Sequence, residues 1–95
     1  MEENNLINIK EELVELGFEN SVILENPNYS SAIVGYDVNS GKVIYSYDLM
    51  IEHLTTIDGM TEEEAIEFIN YNTIRAIPYM GDKSPIILMD FNNLQ

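Results

Sequence analysis

The sequence predicts a single α+β domain, with a mainly antiparallel four-stranded sheet packed by three helices in the order αβββααβ. Three observations lead there. Apolar residues recur every three or four positions over 5–16, 49–57 and the stretch that begins at Thr61, the period of a helix with one buried face. Between the first two of these, residues 21–25, 32–37 and 42–47 are short, rich in β-branched and aromatic side chains, and separated by Asn, Pro, Ser and Gly, as strands joined by turns should be. With 95 residues, 45% of them hydrophobic, the chain can close one core without a disulfide or metal staple. Residues 1–95 are therefore read as one domain, with 92–95 as a frayed tail.

In the first helix Leu6, Ile9, Leu13 and Leu16 form the buried stripe, flanked by Ile7 and Val14, and Glu11, Glu12 and Glu15 lie together on the far side. Asn4 or Asn5 is the expected cap, and Gly17 the left-handed residue after the end. Residues 21–25 (SVILE) predict a strand stopped by Asn26-Pro27-Asn28. Residues 32–37 and 42–47 predict a hairpin across Val38-Asn39-Ser40-Gly41, with Gly41 suited to a positive φ. Val43, Tyr45 and Tyr47 share one face of its second arm, Ile44 and Ser46 the other. Leu49, His53 and Ile57 stack at four-residue intervals, with Met50 and Leu54 beside them, predicting a short second helix closed by Asp58-Gly59 and paired with the third.

The third helix is the most sharply punctuated. Thr61 and Glu64 form a T-x-x-E capping box, in which each side chain satisfies the other residue's free N–H. On a helical wheel Ala65, Ile66, Phe68, Ile69 and Asn72 fall within an arc of roughly 160°, and Glu63, Glu64, Glu67, Asn70 and Tyr71 lie opposite. Pro78 lacks an N–H and pushes the residue before it out of the α region, so the helix should not run past Ile77. After a loop at 79–84, residues 85–90 predict a last strand. Its unbroken apolar run suggests cover on both faces or a central place in the sheet, with Pro85 at the start where a missing donor is tolerated.

Seventeen Asp and Glu stand against four Lys and Arg, a net charge of −13. Phosphate contacts are made by Lys and Arg and gain affinity through counterion release, so direct nucleic-acid binding is disfavoured and a basic protein is the expected partner. Disorder, the other common outcome for acidic chains, conflicts with the frequency and periodicity of Ile, Leu, Val, Phe and Tyr. No cysteine is present, which removes disulfides and thiolate metal sites. No apolar run reaches the ~18 residues of a membrane span, and Met-Glu-Glu-Asn-Asn has the wrong sign for a signal peptide. A soluble, cytoplasmic protein without a cofactor is expected, its oligomeric state open.

Four features are candidates for function. His53, the sole histidine, lies inside an apolar arc with no second ligand at metal spacing, and is read as a packed core residue rather than a base or a ligand. Asp58-Gly59 fails as a calcium loop, because with Gly59 at loop position six the ligand positions fall on Leu54, Thr56 and Ala65. Glu63, Glu64 and Glu67 repel one another at i+3 and i+4 with no interleaved lysine. They are either a solvated face or, together with Glu11, Glu12 and Glu15, a partner-facing acidic patch. Arg75, the sole arginine, either holds a carboxylate in an internal ion pair that orients the turn after the third helix, or grips an anionic ligand with Tyr71, Asn72 and Tyr79 around it.

The stretches Thr61-Glu62-Glu63-Glu64-Ala65 and Tyr71-Asn72-Thr73-Ile74-Arg75-Ala76-Ile77-Pro78-Tyr79, with Tyr47-Asp48-Leu49-Met50, resemble a group of small acidic proteins encoded in bacteriophages, prophages and other mobile elements. The resemblance spans about residues 23–90 and brings no functional residues with it. It implies a context, in which small acidic proteins inhibit host defence or regulatory machinery and some imitate the charge of DNA. Imitation requires concentration: thirteen charges spread over the roughly 5,600 Å² expected for this mass give about one per 430 Å², whereas duplex DNA carries one per ~1.7 Å of axis. The acidic faces of the first and third helices would have to converge.

Overall fold

A computed structural model describes residues 2–91, with side chains from residue 6 onward. The chain forms an α+β domain with α1 (Glu2–Glu15), β1 (Ile33–Tyr36), β2 (Val43–Ser46), α2 (Tyr47–Thr56), α3 (Glu62–Phe68) and β3 (Ile86–Leu88). A 3₁₀ turn (Ser30–Ala32) precedes β1, and α3 continues without a break into a π-helical turn (Ile69–Thr73) and a 3₁₀ helix (Ile74–Tyr79).

α1 begins at Glu2, so Asn4 and Asn5 lie within the helix and neither is the expected cap; no Gly or Pro stands ahead of them to stop it. At the other end Gly17, at φ 87°, closes the helix as expected. Its N–H bonds to the Val14 carbonyl at 3.0 Å and that of Phe18 to Leu13 at 2.7 Å, the paired bonds of a Schellman motif. Leu13 is buried and Ile9 packs beside it, but Leu16 at the helix end is exposed. Lys10 Nζ reaches Glu25 Oε2 at 2.8 Å, a half-exposed pair worth about 0–1 kcal/mol.

The sheet has three strands in the order β1-β2-β3, antiparallel between β1 and β2 and parallel between β2 and β3. The expected four-stranded, mainly antiparallel sheet is corrected in two places. Residues 21–25 are not a strand. They are tied down by scattered bonds instead: Ser21 Oγ donates to the Gly41 carbonyl, the Val22 N–H to that of Lys83, and the Leu24 N–H to Tyr45 Oη at 2.8 Å. β3 is an edge strand, with Ile86 37% and Leu88 45% exposed, so its apolar run marks neither a central strand nor cover on both faces. The buried Pro85 stands directly before it.

The hairpin forms where expected, with a register shift between Ile33 and Gly35. Asp37 Oδ2 accepts from the Ser40 N–H at 2.7 Å, which holds the carboxyl below its ordinary pKa. Gly41 takes φ 78°, and a Cβ there would overlap the Phe18 ring. Gly41→Ala therefore combines a left-handed backbone with overpacking and should cost about 2–3 kcal/mol; a urea melt matching the parent would contradict this packing.

Val43, Tyr45, Met50, Leu54, Ala65 and Ile69 are almost fully buried and join Leu13, Tyr29 and Ala32 in one core. Tyr47 leaves the strand to begin α2, because Ser46 caps that helix by accepting from the Leu49 N–H. The buried side of α2 is Met50, His53 and Leu54, while Leu49 and Ile57 are exposed, a rotation of the expected stripe by about one residue. His53 is buried, edge-on to the Tyr29 ring at 5.6 Å and 3.5 Å from Ser31 Oγ, the packed histidine anticipated. Burial raises the Tyr29 pKa, and its hydroxyl sits by the Thr73 side chain without a well-formed hydrogen bond. The expected frayed tail at 92–95 lies outside the described residues.

Candidate functional site

The capping box that starts α3 is complete: the Glu64 N–H donates to Thr61 Oγ1 at 3.1 Å and the Thr61 N–H to Glu64 Oε1 at 3.0 Å. α3 packs on α2 through Ala65 and, just past its end, Ile69. Glu63, Glu64 and Glu67 consequently face solvent, and Glu11, Glu12 and Glu15 do so on α1. α1 rests against the 3₁₀ turn, so the two acidic faces stand on different supports.

The expectation that this helix ends before Pro78 is corrected. The α-helix stops at Phe68, earlier than expected, yet the helical path runs on to Tyr79 with Pro78 inside the 3₁₀ segment. A π turn takes in an extra residue, so the position facing the core after Ile69 is Thr73, which is buried, rather than Asn72, which is exposed. Asn72 Nδ2 donates back to the Phe68 carbonyl at 3.1 Å. Asn70 Oδ1 accepts from the Tyr47 hydroxyl at 3.1 Å, pinning the π turn to the start of α2.

The wide turn sets out a surface strip. Tyr71 is 71% and Tyr79 88% exposed. Met60, Glu64, Glu67, Phe68 and Tyr71 line an open groove of about 450 Å³, and Tyr71, Arg75, Ala76, Pro78 and Tyr79 line a second of about 510 Å³. Tyr71 is the ridge between them. The internal ion pair expected for Arg75 is absent among the described residues; its guanidinium lies over the Tyr71 ring, 4.7 Å from the centroid. Tyr71 stands four residues before Arg75, at the spacing where helical side chains meet, and supplies a cation–π contact in place of an ion pair. Of the expected ligand-binding group, Tyr71, Arg75 and Tyr79 are brought together and Asn72 is not. Met60, Phe68, Ala76 and Pro78 are additions; the four-residue spacing of Glu67, Tyr71, Arg75 and Tyr79 signals the strip but none of these four.

Comparison of the chain with known protein families, curated proteins and solved structures finds no match in any of the three. Among the described residues no group of three or more His, Asp or Glu is gathered as a metal ion requires, and no helix is long and apolar enough to cross a membrane. Three of the four cations are engaged away from the α3 glutamates. Lys10 meets Glu25, Lys83 Nζ donates to the Ser40 carbonyl at 2.9 Å, and Arg75 stacks on Tyr71.

Proposed function

We propose that this chain is a non-enzymatic binding protein that engages a basic surface of a protein partner through the glutamate face of α3. The observation that carries the reading is that Glu63, Glu64 and Glu67 are exposed and none is in an ion pair among the described residues. Their mutual repulsion is a small cost to the isolated fold that a basic partner would relieve. The resemblance to acidic proteins of phages and mobile elements supports an inhibitory role on a host protein. A second reading, a small anionic-ligand binder or minor enzyme using Arg75, Tyr71 and Tyr79, is favoured by a guanidinium that lines its groove and makes no ion pair among the described residues.

The first reading is tested with the triple variant Glu63→Gln, Glu64→Gln, Glu67→Gln. Gln preserves the capping box at position 64, so the melting temperature should hold or rise slightly. Against a basic partner captured from host lysate, the variant's on-rate should fall, and the parent's affinity should drop steeply with added salt. Equal on-rates at two ionic strengths would leave the glutamates as a solvated face.

A further inference from the structure

We infer that the strip from Glu64 to Tyr79 is a charge-ordered docking groove for a protein segment carrying a basic side chain followed, about four residues away, by a carboxylate. This rests on the acidic-face reading and deepens it. The strip has two unlike ends joined by one aromatic ridge: Glu64 and Glu67 flank Tyr71 in one groove, and Arg75 and Tyr79 flank it in the other. Exposed Tyr and Arg side chains are the residue types that dominate binding energy at interfaces. The Arg75 guanidinium covers one face of the Tyr71 ring, and the adjacent Asn70 is anchored to Tyr47.

The chemistry of the occupant follows from charge. A guanidinium without a carboxylate partner among the described residues, in a chain of net charge −13, offers a local anion site inside a repulsive field. A free small anion meets that repulsion with nothing to offset it, whereas a segment that places its own cation between Glu64 and Glu67 brings its carboxylate to Arg75 already paid for. An all-basic segment is attracted to the first groove but sets a like charge against Arg75, which acts against the wrong partner.

Length fixes the spacing. Glu67 and Arg75 are eight positions apart on a path that leaves α geometry at Phe68, which at about 1.5–2 Å per residue is roughly 12–16 Å along the axis. An extended segment covers that in about four residues at about 3.3 Å each.

The test is an amide-shift titration of the isotopically labelled protein with two capped peptides, Arg-Gly-Gly-Gly-Asp and Arg-Gly-Gly-Gly-Asn, and with inorganic phosphate. Shifts should cluster over residues 64–79, with the Asp peptide binding about two- to fivefold more tightly than the Asn peptide, the range of an exposed ion pair. Arg75→Gln, checked for an unchanged melt, should bring the two peptides to equal affinity. Equal or tighter binding of the Asn peptide, an Asp preference that survives Arg75→Gln, or saturable phosphate binding at Arg75 would each overturn the inference. If the Asp preference is missing but Glu64→Gln with Glu67→Gln still weakens both peptides, this inference fails and the acidic-face reading stands. If that double variant changes neither peptide's binding, or neither peptide shifts residues 64–79 at millimolar concentration, both fail.

Discussion

Tyr45→Ala should lower the unfolding free energy by about 3–5 kcal/mol, a large share of the stability of a domain this size. Tyr45 is fully buried between its β1 partner Ile33 and its β3 partner Ile87. Its hydroxyl also accepts the Leu24 N–H, so it is the post to which the irregular segment at 21–25 is tied. Tyr45→Phe keeps the ring and loses only that bond, for about 0.5–1.5 kcal/mol. Burial pushes the Tyr45 pKa up to about 12, above the ordinary value near 10. The neutral phenol is therefore favoured in the folded chain, and the unfolded chain loses its proton first. The stability this represents is fully present below about pH 10 and is lost as pH rises to about 12, a loss of about 2–3 kcal/mol. Burial moves Tyr29 in the same direction. Urea melts from pH 8 to 12 should show the decline, with most of the slope removed in Tyr45→Phe; a flat profile for the parent would refute the assignment.

What the sequence made legible was local. The capping box at Thr61 and Glu64, the left-handed ends at Gly17 and Gly41, and the 38–41 turn each depend on residues within a few positions of one another, and each is found. The outward placement of Glu63, Glu64 and Glu67 followed from the same short-range periodicity. Residues 21–25 have strand composition, but whether they pair depends on which edge lies beside them. β1 is paired with β2 on one side, and the 21–25 segment meets a phenol, a carbonyl of the turn and one carbonyl before β3 rather than a ladder. The parallel pairing of β2 with β3 is equally non-local, because it is set by how far the helical path at 62–79 carries the chain before it returns.

The site was legible in its members and illegible in its connections. Tyr71 and Tyr79 were grouped with Asn72 around the sole arginine, and of these the two tyrosines line one groove with Arg75. Arg75 was expected to take a carboxylate because carboxylates are abundant here. Abundance is not proximity: the acidic residues of α3 fill the turns before Tyr71, and the ring at position 71 lies under the guanidinium. Asn72 was assigned to the buried arc by a period of 3.6, which the π turn breaks.

Ile69→Ala should cost about 2–5 kcal/mol, and its comparison with Phe68 and Asn72 reads out the register of the wide turn. Ile69 is fully buried at the junction of α3 and the π turn, Phe68 is half-buried beside the acidic groove, and Asn72 is exposed. Phe68→Ala should therefore cost less than its larger volume implies, because part of its ring is already in water. Asn72→Ala should stay within about 1.5 kcal/mol, the value of the one bond it makes to the Phe68 carbonyl. An uninterrupted α-helix reverses part of this order: its buried positions after Ile69 are Asn72 and Thr73 together, and cutting Asn72 back would then open the interface with α2. Denaturant melts of the three variants decide between the two. A loss at Asn72 comparable to that at Ile69 would place the chain in the regular helix and remove the wide turn that sets Tyr71 between the two grooves.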